Sequence, residues 1–283
     1  MCVVDATGRI VRETKVASEP GALAAFLTGL TVPLVRVGLE AGPLSQWFHA
    51  GLTSAGYDVV LLETRHVKAA LSAMLVKTDH KDARGIAQLL RMGWYRPVHS
   101  KGLPAQEMRV LLTGRKLLQA KLLDVEGAIR GMLRGFGLKV DATTKPQFAA
   151  HVRELDGGHA MLERVVEPML RGRDTLRVEF AGLHRQLLTL VRDDTVCRSL
   201  MTTPEVGAVV AATFTSAVDD PARFTKSKTV GAHFGLTPRR YQSGETDVTG
   251  GISKVGDAMA RTALYEAVQT MLTRTMRFST LKH

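Results

Sequence analysis

Cysteine is nearly absent from this chain: Cys2 and Cys197 are the only two among 283 residues. They lie far apart, with no CxxC pair and no Cys/His cluster, which excludes a disulfide framework and a structural zinc site of the usual spacing. Aromatic residues make up 5%, too few for a platform on which the bases of a single strand stack. No apolar run reaches the roughly 18 residues of a membrane-spanning helix, and no basic-then-apolar signal segment opens the chain. A soluble, cytoplasmic protein is expected. Acidic residues are outnumbered, 27 against 38 Lys and Arg, and the formal charge of +11 with a pI near 9.9 sets up a field that favours polyanions. With aromatics scarce, contacts to phosphate should dominate.

What remains is ordinary for a folded chain: 45% apolar and 23% charged residues, enough to bury two sizeable cores. The opening CVVD-ATG-RIVRETKVA alternates around a turn at Asp5 to Gly8 and reads as a hairpin. Pro20 opens a helix to Leu30. Leu34 to Leu39 is a short strand ending at Glu40, a helix runs from Leu44 to Gly56, and Asp58 to Leu62 is another strand. That order is a layered α/β pattern. Asp79 and Asp82 stand three apart at the start of a helix through Leu90 and share one face of its first turn. From spacing alone they are either metal ligands or an N-cap with a dipole-stabilising partner.

Two seams follow. Met108, Leu111, Arg115, Leu118, Leu122, Val125, Ile129, Met132 and Phe136 step by three and four, as do Leu162, Val166, Met169, Arg173, Leu176, Phe180, Leu183, Leu187 and Leu190. They predict two long helices in a coiled-coil arm, with Arg115 and Arg173 snorkelling or selecting register. Further on, MTTPEVGAVVAATF reads as the first half of a helix-hairpin-helix, whose tight turn around Val206 and Gly207 would aim backbone amides at phosphate.

Gly235 to Arg261, GLTPRRYQSGETDVTGGISKVGDAMAR, concentrates hydroxyls, glycines and cations and reads as a long structured loop. Ser243 sits beside Gly244, which permits close backbone approach, and Arg239, Arg240 and Lys254 are candidate phosphate clamps. Ser253 is the rival nucleophile, or else the N-cap of a helix from Val255 to Met271.

GLTPRRYQSGE followed by GGISKVGDAMARTALYEA resembles the C-terminal domain of the DEDD insertion-sequence transposases, the bridge-RNA-guided recombinases of the IS110 family. VGLEAGP around Glu40 and KTDHKDARGIAQLL around Asp79 and Asp82 are similar to that family's RuvC-like acidic motifs. The resemblance covers nearly the whole chain. It implies a RuvC-like, ribonuclease H-like N-terminal domain (residues 1–100), a coiled-coil helical arm (101–195), and a mainly α, serine-bearing C-terminal domain (196–283). It implies Mg2+ held by Glu40, Asp79 and Asp82, Ser243 as the serine that joins covalently to DNA, a structured guide RNA, and a homo-oligomer. Two departures stand out. Glu205 occupies the first glycine of the family's Pro-Gly-Val-Gly turn, which places Val206 and Gly207 beside a carboxylate. The chain also opens at what resembles the family's second strand, so the Gly-x-Asp strand is missing, Asp5 resembles a surface turn residue, and the C-terminus is short of basic helix. Two other readings follow: a truncated nucleic-acid-binding remnant, and a nuclease that uses the carboxylates alone.

Overall fold

The computed structural model describes residues 1–273, which divide at Lys101/Gly102 into two compact units. The first begins with β1 (Cys2–Val4) and β2 (Ile10–Glu13), an antiparallel hairpin. Asp5 closes its turn: Oδ1 accepts from the amides of Thr7 (2.9 Å) and Arg9 (3.0 Å). Led by a bond from the Thr7 hydroxyl, these donors hold the Asp5 carboxyl down to about 2. Asp5 is thus a turn residue.

Then come α1 (Pro20–Thr28), β3 (Val37–Glu40), α2 (Ser45–Ser54) and β4 (Val59–Leu62). β3 and β4 are parallel, in the register Val37↔Val59 to Glu40↔Leu62, so β3-α2-β4 is a crossover unit. α3 (Thr64–Leu71), α4 (Asp79–Arg91) and the short β5 (Pro97–Val98), antiparallel to β4, complete the unit. Leu52, Leu61, Leu62, Val67 and Leu89 are buried. The element order follows the layered expectation, but the strands fall into two separate sheets, β1-β2 and β3-β4-β5. No strand among the described residues bridges β1 to β3, although α4 packs against both.

The second unit is mainly helical. α5 (Leu103–Gly135) and α7 (Ala160–Asp193) each extend about 50 Å at about 1.5 Å per residue. They run antiparallel, because Ile129 and Leu133 near the end of α5 pack with Leu162, Val166 and Leu170 near the start of α7. Leu112 meets Leu187 and Val191 at the other end. α6 (Phe148–Asp156) seals the tip with Phe148 and Val152. The buried seam agrees with the sequence at Leu122, Ile129, Leu162, Val166, Arg173 and Leu187. Elsewhere it lies one residue later: Leu112, Glu126, Leu133, Leu170 and Val191 are buried, whereas Met132, Phe136 and Leu190 are exposed.

Arg173 is 1% exposed. Its guanidinium donates to Glu126 Oε1 (2.8 Å), Asp174 Oδ1 (2.9 Å) and the Lys145 carbonyl (2.6 Å), and lies 4.7 Å from the Phe148 ring centroid. It is a buried ion pair tying α5, α7 and the α6 approach together, so snorkelling to solvent does not describe it. Arg115 stays in the seam, donating to His184 Nδ1 (3.2 Å) and stacking on Phe180.

The base of the arm shares a core with α8 (Thr195–Leu200) and α9 (Ala208–Val218), where Cys197, Ala211 and Ala212 are buried. A 3-10 turn at Pro221–Arg223 leads to α10 (Ser227–His233), then β6 (Pro238–Ser243), β7 (Thr246–Ile252) and α11 (Ala258–Thr273). Within Gly235 to Arg261, expected as a long structured loop, Pro238 to Ile252 is therefore a β-hairpin. The last helix begins at Ala258 rather than Val255, with Asp257 Oδ1 accepting from the Ala260 amide (3.0 Å). Ser253 does not cap it.

Candidate functional site

Each carboxylate proposed for metal binding occupies the element that its sequence suggested. Glu40 ends β3 and is exposed. Asp79 and Asp82 lie in the first turn of α4, whose N-cap is Thr78, its hydroxyl accepting from the Lys81 amide (3.3 Å). Asp82 stands 4.0 Å from the Lys77 ammonium. Among the described residues, no three His, Cys, Asp or Glu side chains gather closely enough to hold a metal ion. Glu40 projects from a sheet end and the two aspartates from a helix start, and the structure does not assemble the three into one cluster.

Ser243 is the last residue of β6, at the tip of the hairpin. Its partner is Thr246, and Gly244-Glu245 forms the two-residue connection. Gly244 takes φ 56, the left-handed conformation that a tight hairpin requires at this point and that glycine adopts without strain. Both strands are exposed throughout. Strand side chains alternate between faces, so Ser243 shares one face with Tyr241 and with Thr246 and Val248 opposite. Arg240 lies on the other face. It grips Asp247 in a two-pronged ion pair, Nε to Oδ1 at 2.9 Å and Nη2 to Oδ2, which holds the Asp247 carboxyl below its usual range. Arg239 donates to the Ser253 carbonyl (3.2 Å) at the foot of the hairpin, where the strands are irregular between Pro238 and Arg240. Lys254, also at the foot, is in the left-handed region with φ 56. The three cations therefore do not converge on Ser243, because two of them brace the hairpin itself.

The foot of the hairpin is a close crossing of two backbone segments. A Cβ on Gly235 would collide with the Val255 carbonyl oxygen, and one on Gly256 with that of His233; both glycines have positive φ, +66 and +86. Arg261, reaching back from α11, places Nη1 within 3.0–3.1 Å of the Phe234, Val255 and Gly256 carbonyl oxygens. Asp257 pairs with Arg109 of α5 at 2.9 Å. These contacts fasten the hairpin to buried Phe234 and Ala260, so an exposed strand pair rises from a rigid base. Sequence reasoning passed over Arg261 and Asp257 as functional residues. The signal available was a Gly-x-x-Pro segment and a Lys-x-Gly-Asp segment flanking two alternating runs, with Ser-Gly-Glu between them.

In the turn between α8 and α9, Glu205 has φ 62, so this position demands the left-handed backbone that glycine would adopt freely. Val206 packs into the core around Leu112 and Cys197. Gly207 is the exposed N-cap residue of α9.

Residues 1–137 match a family model for DEDD transposases of the IS110 group, and residues 197–282 match the model described as Transposase IS116/IS110/IS902 family. Among curated proteins, the transposase for insertion sequence element IS1111A of Coxiella burnetii is 27% identical over 284 residues, covering 96% of this chain and 74% of that protein. A probable family 20 transposase of Pseudomonas aeruginosa is 25% identical, covering 85% of this chain and 72% of the relative. The transposase for element IS1328 of Yersinia enterocolitica is 23% identical, with 86% and 73% covered.

Proposed function

Since the chain belongs to the IS110 family of transposases, we propose that it cleaves and rejoins DNA strands to move an insertion sequence, with Ser243 as the attacking group. The observation that carries this reading is the placement of Ser243 at the tip of an exposed hairpin whose foot is locked by Gly235, Gly256 and Arg261. A nucleophile must reach a phosphodiester and still be held in position. Ser243 Oγ attacks phosphorus, the bond from phosphorus to one deoxyribose oxygen breaks, and that oxygen leaves carrying the serine proton. The product is a phosphoserine link that a hydroxyl from another strand reverses, exchanging partners. Arg239 and Lys254 near the foot, with the formal charge of +11, supply the phosphate-binding field.

Membership in a DEDD family implies a divalent metal. Oxygen-donor carboxylates are the right chemistry for Mg2+, yet Glu40, Asp79 and Asp82 as arranged do not form a complete centre, and no step is derived through one. The RuvC-like reading of the first unit, a structured guide RNA, and a homo-oligomer that supplies two reacting serines are parts of this same proposal.

The test is a denaturing gel of the protein with DNA carrying the element ends. A covalent protein–DNA species is expected, and Ser243→Ala should abolish it while DNA binding persists. Persistence in Ser243→Ala with loss in Ser253→Ala would move the nucleophile to Ser253. Cleavage without any adduct would instead match a nuclease.

A further inference from the structure

The hairpin β6-β7 has two chemically different faces. With Tyr241 opposite Val248, Gln242 opposite Asp247 and Ser243 opposite Thr246, alternation puts Arg240, Gln242, Asp247 and Thr249 on one face and Tyr241, Ser243, Thr246 and Val248 on the other. The first face is polar, and its two charges neutralise each other in the Arg240–Asp247 pair. The serine's face carries no charge from the tip down to Tyr241 and Val248. These two stand directly across from each other, 66% and 55% exposed, an aromatic ring beside a branched apolar side chain. They are not what holds the hairpin in place, since the foot does that through Gly235, Gly256 and Arg261. Below Val248 the face continues with Gly250, where even a Cβ would have nothing nearer than 3.9 Å. The ring therefore borders open space. Two residues along a strand span about 6.8 Å, equal to two steps of a nucleic-acid strand at about 3.4 Å each, so the ring comes within one or two nucleotides of a phosphodiester held at Ser243.

We infer that Tyr241 is the seat of a nucleobase: a base flanking the phosphate at Ser243 leaves its own stack and lies against the Tyr241 ring, with Val248 at its edge. This inference rests on the reading that Ser243 meets DNA at the hairpin tip. A second phosphate fits the face poorly, because Tyr241, Thr246 and Val248 offer hydroxyls and apolar surface but no cation. A base presents a π-face, which an aromatic ring matches whatever the sequence. Stacking on the protein offsets the stacking lost from the duplex, and it fixes the nucleotide beside the phosphorus under attack. Tyr241 is thus a positioning residue that governs where the strand lies, not which base it carries.

The test uses DNA carrying the element ends in which 2-aminopurine, a base whose fluorescence stacking quenches, replaces one base at a time. The protein is the full chain with Ser243→Ala, so that no covalent step intervenes. At one position the probe should be several-fold dimmer than with protein that also carries Tyr241→Ile, and Tyr241→Trp should restore the quenching. Isoleucine keeps the strand propensity and an apolar partner for Val248, so a ring that served only the hairpin would be replaced without effect. Equal fluorescence with Tyr and Ile at every position overturns the inference. With Ser243 intact, Tyr241→Ile should slow adduct formation in the bound complex about fivefold or more, while Tyr241→Trp should not. The salt dependence of affinity should stay the same in both, because no charge is altered. An unchanged rate in Tyr241→Ile, or a shallower salt dependence, also overturns it. An adduct that persists in Ser243→Ala removes the serine reading by itself, and the fluorescence comparison still decides whether a base lies on the ring.

Discussion

At the residue scale, the foot of the hairpin rests on backbone that tolerates no side chain. Gly256→Ala places a Cβ against the His233 carbonyl at a positive φ. It should lower unfolding stability by about 2 kcal/mol or more in urea titration, from left-handed strain alone before the clash is added. Arg240 and Asp247 provide a pH signature. The folded Asp247 carboxyl lies below its ordinary value, so the pair's contribution is full above the unfolded value and is lost as pH falls through the folded one. NMR resonances of Tyr241 and Val248 should therefore hold steady near neutrality and shift below about pH 4; a transition near pH 6 would show that another group governs the hairpin. Glu205 shows what sequence could reveal. Its place at a glycine of the family turn was legible and suggested a carboxylate against phosphate, but φ 62 is a backbone property that no side-chain pattern displays.

At the scale of elements, the two long helices were legible because apolar residues at three- and four-residue steps have one solution over thirty residues. The exact seam was not. Apolar counting chose Val125 and Met132, whereas the structure buries Leu133 and Glu126, the latter a charged residue that apolar counting skips and whose carboxylate pairs with Arg173 on the facing helix. Breaking that pair has a clear expected cost: Arg173→Met leaves buried Glu126 with the more distant Arg130, at 3.9 Å, and should destabilise by about 3 kcal/mol. Arg173→Met with Glu126→Leu should recover most of the loss. Thermal unfolding of the three proteins decides it, and a double variant no better than the single one would show that the other acceptors, Asp174 and the Lys145 carbonyl, dominate. The hairpin β6-β7 was misread for the opposite reason. Its strands have few large apolar residues and both faces are exposed, so the period-2 signal that buried strands display was weak.

At the scale of the whole molecule, charge and family agree. A formal +11 with 5% aromatics points to binding through phosphates, and DNA affinity should fall at least about 100-fold between 50 and 200 mM salt; a flat response would contradict it. The acidic motifs were legible as motifs, and Glu40, Asp79 and Asp82 sit on the elements expected, but the structure does not gather them into one cluster, and how separate elements approach one another is not encoded in local sequence. The claim that organises the rest is that the hairpin tip bonds to DNA. Its most direct measurement is fragmentation mass spectrometry of the trypsin-digested covalent adduct, because cleavage after Arg240 and Lys254 releases one peptide containing both candidate serines. The expected result is a nucleotide on Ser243; a nucleotide on Ser253, or on any peptide outside the hairpin, would contradict the account.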